Sequence, residues 1–142
     1  MVQVKAAIKP KKQKGILQLR KEAWVWFSRL VRAEEGYICF TCGKNLNDNK
    51  SAAHAGHYVP QSKGNALRFD RRNVHCQCNT CNTFKAGNLY EYAVRLQKKY
   101  GMGILQELDA IKNQTKKFTR EELTGMIAEY KERLARLAEE SA

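Results

Sequence analysis

No stretch of this 142-residue chain is apolar for long enough to cross a bilayer. The lysine-rich start (Lys5, Lys9, Lys11, Lys12 and Lys14) holds no apolar run of signal-peptide length either. Both gaps set aside a membrane role and lead to the expectation of a cytoplasmic protein. Cysteine is scarce, five residues in all, and four of them fall in two C-x-x-C pairs. That pattern excludes a disulfide scaffold and fits bound metal in a reducing compartment. There is no internal repeat, and nothing beyond the lysine-rich start is low in complexity, which sets aside repeat architectures. Acidic residues are few, 14 against 26 Lys and Arg, for a formal charge of +12.

That excess is unevenly placed. Residues 1–36 carry nine basic and three acidic side chains, net +6, and residues 37–100 carry ten and three, net +7. Residues 101–142 carry seven and eight, net −1. The charge therefore sits with the cysteines and histidines, which points to a polyanionic partner, nucleic acid first. A general solubility charge and a surface for acidic lipid are the other readings, and neither explains why charge and site coincide.

What is present is two knuckles, Cys39-Phe-Thr-Cys42 and Cys78-Asn-Thr-Cys81. Four thiolates at this spacing form the tetrahedral sulfur set that zinc prefers. The 35 residues between the knuckles, Gly43 to Gln77, are more than a plain zinc ribbon needs and carry all three histidines. A structural zinc that clips a polar, histidine-bearing hairpin in place suggests that the clip serves a reactive site. Cys76, the fifth cysteine, reads as a small core residue.

At this length one domain, or one compact core with helical arms, is expected. Residues 1–15 read as a flexible basic arm and 16–36 as an N-terminal helix, with Trp24, Phe27, Leu30 and Val31 at helical spacing and Gly36 as the stop. Trp24 and Trp26 read as core residues, with base stacking the less favoured alternative. Residues 37–87 form the zinc-bound core: knuckle, strand Ala52 to Val59, a basic loop through Arg72, strand Asn73 to Gln77, knuckle, and a short helix from Asn79 to Lys85. This is the element order of a treble-clef zinc unit, and the fold class expected is α+β, mostly helical. Residues 88–142 are a C-terminal helical region. Asn88 with Glu91 and Thr119 with Glu122 read as capping boxes. In the last helix Leu123, Ile127, Tyr130, Leu134 and Leu137 recur at steps of four and three. That seam suits either packing on its own domain or a homodimer interface.

Hydrolysis of a phosphodiester needs a nucleophilic water, charge stabilisation on phosphate and help for the departing oxygen. The segment from His54 to Lys85 holds residue types for each: neutral histidine as general base, a hard metal ligand, and Lys or Arg to clamp non-bridging oxygens. Cys39-x-x-Cys42, Gly56-His57, Asn73 and Cys78-x-x-Cys81-Asn82-x-x-Lys85 resemble the zinc-bound form of the HNH (His-Me finger) nucleases. More narrowly, Ala55-Gly56-His57-Tyr58, Leu67-Arg68-Phe69, Arg72-Asn73-Val74-His75 and Gln77-Cys78-x-x-Cys81-Asn82-x-x-Lys85-x-Gly87-Asn88-Leu89 resemble the NinG (Rap) recombination proteins of lambda-like phages, over nearly the whole chain.

The resemblance implies a metal-dependent endonuclease for branched recombination intermediates, D-loops and Holliday junctions, acting in the bacterial host cytoplasm. His57 would be the general base, and Asn73 would orient it or brace the hairpin. Cys39, Cys42, Cys78 and Cys81 would hold structural Zn²⁺, and Asn82 a catalytic Mg²⁺ or Mn²⁺. Many HNH nucleases place a second metal ligand directly before the base, where this chain has Gly56. Either His54 supplies it through a bulge in the strand, or Asn82 is the only protein ligand and waters complete the shell. His75 either borders the cleft or packs. Lys85 with the Arg68, Arg71 and Arg72 cluster forms the expected phosphate clamp, and the N-terminal lysines add salt-sensitive affinity. The alternatives are a treble-clef module that binds branched DNA without cutting it, and a zinc-bound RNA-binding protein.

Overall fold

A computed structural model describes residues 13–141, so most of the expected basic arm lies outside the described residues. The chain is α+β: four α-helices surround a two-stranded antiparallel sheet. Helix α1 spans Ile16–Glu34, strand β1 Ala53–His57 and strand β2 Val74–Cys78. A π-helical turn, Thr80–Phe84, follows the second knuckle, and then come α2 (Leu89–Tyr100), α3 (Ile104–Ile111) and α4 (Arg120–Glu140). Among the described residues no helix is long and apolar enough to cross a membrane.

Helix α1 buries Leu19, Ala23, Phe27, Leu30 and Val31, one stripe at steps of three and four. The chain ends it with a Schellman turn. Gly36 takes φ +64°, its N–H bonds to the Ala33 carbonyl at 3.0 Å, and the Tyr37 N–H bonds to the Arg32 carbonyl at 3.0 Å. The reversal delivers the chain to the first knuckle and leaves Glu35 pointing at β2. Its carboxylate accepts from the Cys76 N–H at 2.9 Å and meets His75 Nδ1 at 2.8 Å and Arg71 Nη2 at 2.8 Å. His75 is 0% exposed and is stacked by Phe40 at 4.0 Å. It therefore packs, and the alternative of a cleft-bordering residue falls.

The seam of α4 lies against α1. Leu123, Ile127 and Tyr130 are buried, Leu134 and Leu137 half-buried, and they join Leu19, Ala23, Phe27 and Leu30 in two contiguous apolar clusters. The residues that suggested an interface between copies are thus occupied within the chain. Helices α2 and α3 close a third cluster, where Tyr92, Leu96, Ile104 and Leu108 cover Leu67 of the loop between the strands.

The strands pair in unbroken register: Ala53 with Cys78, His54 with Gln77, Ala55 with Cys76, Gly56 with His75 and His57 with Val74. There is no bulge at His54. Successive side chains alternate between faces. His54, Gly56, His75 and Gln77 face Phe40 and α2, while Ala55 and Val74 face the α1 cluster. Of the two expected capping boxes, Thr119 caps α4 by accepting from the Glu122 N–H at 3.1 Å. Asn88 does not cap α2. It takes φ +49° and its side chain donates to Cys81 Sγ at 3.5 Å.

The Glu35 pin makes a pH-dependent prediction. Burial by itself raises its carboxyl, but the partners His75, Arg71 and the Cys76 N–H outweigh burial and hold it below the ordinary 4.5. A carboxylate depressed on folding adds stability that is complete above the unfolded value and fades as pH falls toward the folded one. Glu35→Gln should therefore cost about 3–5 kcal/mol at neutral pH, the usual loss when one member of a buried pair is removed. Urea titrations should show that gap narrowing below pH 4.5.

Candidate metal centre and adjacent cleft

The two knuckles meet across the sheet. The Sγ atoms of Cys39, Cys42, Cys78 and Cys81 all lie within 4.8 Å of one another, and Cys42 and Cys78 are 3.8 Å apart. Tetrahedral zinc with Zn–S near 2.3 Å separates its sulfurs by about 3.8 Å, so the set fits the ion. Local backbone builds each half. In the first knuckle Gly43, at φ +80°, lets its N–H bond the Cys39 carbonyl at 2.9 Å. In the second, the Cys81 N–H donates to Cys78 Sγ at 3.4 Å and the Gly87 N–H to the Cys81 carbonyl at 2.9 Å.

Burial raises the Cys39 thiol, but a hydrogen bond with Thr41 and backbone N–H groups outweigh it and bring it down to about 6. Burial, aided by neighbouring Cys39, pushes Cys42 up to about 12. One thiolate next to another is unfavourable until a cation neutralises both, which is the behaviour of a metal-binding set. Cys76 stays apart as a buried core thiol, pushed up to about 12 by burial and by Glu35.

Beside this clip lies a cleft of about 350 Å³ lined by Trp24, Ala55, His57, Pro60, Gln61, Asn82, Ala86 and Gly87. His57 ends β1 and stacks on Trp24 with ring centroids 4.9 Å apart. Its Nε2 lies 3.1 Å from the Arg68 carbonyl, which can only accept, so the neutral ring carries its proton there and its lone pair on Nδ1. Burial pulls the His57 pKa below the ordinary 6.5; the Arg68 carbonyl opposes this and the Arg68 charge adds to it. The ring is thus held neutral around pH 7.

The other expected residues divide. Asn82, in the π turn after the fourth cysteine, shares the cleft with His57 and places its amide nitrogen 3.0 Å from His54 Nδ1. His54 reaches Asn82 from a regular strand, so the bulge expected for it is unnecessary. Asn73 is 0% exposed. Its Oδ1 accepts from the Val59 N–H at 2.7 Å, and its Nδ2 donates to the Val59 and Leu67 carbonyls at 3.1 and 3.2 Å. It braces the loop that presents the Arg68 carbonyl to His57, which makes it a positioning residue.

The expected arginine clamp is reduced. Arg71 is held by Glu34 and Glu35, and Arg72 by Asp70 at 2.6 Å with Glu107 at 3.4 Å. Among the described residues Lys85 and Arg68 form no ion pair, and the Arg68 guanidinium lies 5.9 Å from the Trp24 ring centre. Two participants escaped the sequence reading. Trp24 looked like core because helical spacing cannot say which edge of a stripe meets a cleft. Tyr92 donates to the Gly56 carbonyl at 2.7 Å, and nothing in its local sequence marks it.

Fold and site define a small α+β protein in which a cluster of four cysteines able to bind a metal stands beside a histidine-bearing strand pair. The family described as bacteriophage lambda NinG protein matches residues 2–140, and the chain belongs to that family. Protein ninG of Salmonella phage P22 is 32% identical over 117 residues, 77% of this chain and 56% of that protein. Protein ninG of Escherichia phage 933W is 32% identical over 133 residues, 85% and 64%. Protein ninG of Escherichia phage lambda is 32% identical over 117 residues, 77% and 55%. The chain thus spans a little over half the length of these relatives. No solved structure matches it.

The clip makes a direct prediction. Purified protein should carry a single zinc by elemental analysis, and Cys81→Ser should lose it. Apparent binding energies of structural zinc are on the order of 10 kcal/mol. Chelation should therefore abolish hydrogen-exchange protection across residues 37–87 while α1 and α4 retain theirs.

Proposed function

We propose that this protein is a metal-dependent, structure-specific DNA endonuclease of the HNH (His-Me finger) type, with the clip and strand pair as its treble-clef ββα-metal core. Its substrates are branched recombination intermediates, D-loops and Holliday junctions. The observation that carries the reading is His57: a buried, neutral imidazole whose tautomer is fixed by the Arg68 carbonyl, in one cleft with Asn82. Plain DNA binding gives no reason to hold a histidine in that state.

The chemistry follows from these placements. With Nε2–H tied to Arg68, His57 Nδ1 is the atom that takes the proton of the attacking water. Trp24 fixes the ring plane by stacking and walls one side of the cleft from bulk water. Asn82 is the ligand for Mg²⁺ or Mn²⁺, an ion that supplies charge stabilisation to the departing oxygen. Lys85, next to cleft residue Ala86, and Arg68 bring cationic groups for the non-bridging oxygens. The net +7 of residues 37–100 draws the phosphate backbone to this face irrespective of base sequence, so discrimination rests on DNA shape.

The test is cleavage of a labelled panel of linear duplex, D-loop, four-way junction and single strand, with RNA alongside. It is run with and without Mg²⁺ or Mn²⁺ at low and high salt. Metal-dependent cutting of the branched substrates is expected, and His57→Ala should lower the rate by about 10²-fold or more. Because the base acts only when neutral, the acidic limb of the rate profile should fall below pH 6.5. Tight, salt-sensitive binding of junctions with no cutting under any metal would instead make the protein a non-cleaving treble-clef module.

A further inference from the structure

Gln77 is 0% exposed, and the two ends of its amide are treated differently. Nε2 donates to the Gly87 carbonyl at 2.8 Å and to Thr41 Oγ1 at 3.2 Å, which fixes the side chain and identifies the nitrogen end. Oε1 is buried and, among the described residues, has no hydrogen-bond partner. It lies over Gly56, 1.9 Å from where a Cβ on that residue would stand, and Asn82 Oδ1 lies 2.9 Å from the same point. Asn82 is oriented too: its nitrogen faces His54 Nδ1, and among the described residues its oxygen receives no hydrogen bond. Two amide oxygens thus lie on the Cβ side of one glycine, and among the described residues neither receives a hydrogen bond. An unpartnered buried acceptor is costly, and a cation shared by both oxygens would satisfy the two at once.

We infer that Gln77 Oε1 is a ligand oxygen for a divalent cation, paired with Asn82 Oδ1, and that His54 is the residue that orients the Asn82 amide. This rests on the nuclease reading of the cleft and adds to it. Carbonyl oxygens suit hard cations that keep most of their water and complete their shell with substrate phosphate. They are chemically distinct from the four sulfurs that hold zinc. Gly56 has a reason under this arrangement: any side chain there would occupy the position of the Gln77 oxygen. His54 becomes a positioning residue, and its substitution should loosen the Asn82 amide without removing a donor from the ion.

The experiment titrates zinc-loaded full-length protein with Mg²⁺, following the side-chain carbonyl carbons of Gln77 and Asn82 by NMR. In parallel, Mn²⁺ affinity is measured by electron paramagnetic resonance for wild type, Gln77→Met and Asn82→Ala, with zinc content checked in each. The expected result is that both carbonyl carbons shift along one binding curve and that each variant weakens Mn²⁺ by about tenfold or more. The wild-type carbon signals decide the matter even where Gln77→Met folds poorly. If the Asn82 carbon moves while the Gln77 carbon stays still, the inference is overturned and the nuclease reading stands. If neither carbon moves, and the protein nevertheless cuts DNA with metal, the ion lies elsewhere and Gln77 has no part in it. If neither moves and nothing is cut, both readings fail together.

Discussion

The surroundings of the cleft hang on the approach of two short turns, far apart in sequence, to within a few ångströms of each other at four sulfurs. A two-stranded sheet is marginal by itself, and β1 and β2 are joined by a loop of 16 residues, 58–73, too long to set the register as a tight turn does. The cysteine cluster anchors one of the two strands. Cys78 ends β2, and the first knuckle lies against the same strand through the Phe40 N–H bond to the Cys76 carbonyl at 2.7 Å. Once Cys78 and Cys81 are fixed, Asn82 is carried by the next turn to the edge of β1. The second cysteine pair and Asn82 are thus one continuous piece of backbone.

The second support is electrostatic. Glu35 caps the end of α1, inside the Schellman turn, and reaches His75, Arg71 and the Cys76 N–H at once, so the end of α1 is pinned to the middle of β2. That pin sets α1 against the sheet, and α1 in turn places Trp24 on His57. Helix α4 seals the outer face of α1. From the other side α2 contributes Tyr92, whose hydroxyl holds the Gly56 carbonyl at 2.7 Å. The cleft is therefore built from three directions. A substitution in Glu35 or Tyr92, neither of which lines it, acts on it through backbone position.

Local order was largely legible. Strands expected at Ala52 to Val59 and Asn73 to Gln77 are Ala53–His57 and Val74–Cys78, because alternation and flanking turn residues bound them closely. The helix expected over 16–36 is Ile16–Glu34, stopped by Gly36 as its left-handed turn requires. The four-cysteine cluster was legible too, since two C-x-x-C pairs at this spacing are the pattern of a sulfur ligand set. Asn88 was misjudged because a helix-start pattern cannot compete, on paper, with a sulfur seven residues back that its amide bonds instead. Arg71 and Arg72 looked available for phosphate because their carboxylate partners sit on α1, α3 and the turn at Asp70.

The sequence by itself determined the elements, the basic segments, the four sulfurs and the residue types gathered between them. These depend on periodicity, on short spacings and on composition, all of which are local. Only the tertiary structure decided what each polar group does. It made His75 a buried pin, left Arg68 without a carboxylate among the described residues, tied His57 Nε2 to a carbonyl and laid the Gln77 oxygen over Gly56. Those assignments depend on which donor or acceptor arrives within about 3 Å from elsewhere in the chain. Partners there are separated by up to 40 residues, as Glu35 and His75 are, and no local pattern encodes that distance.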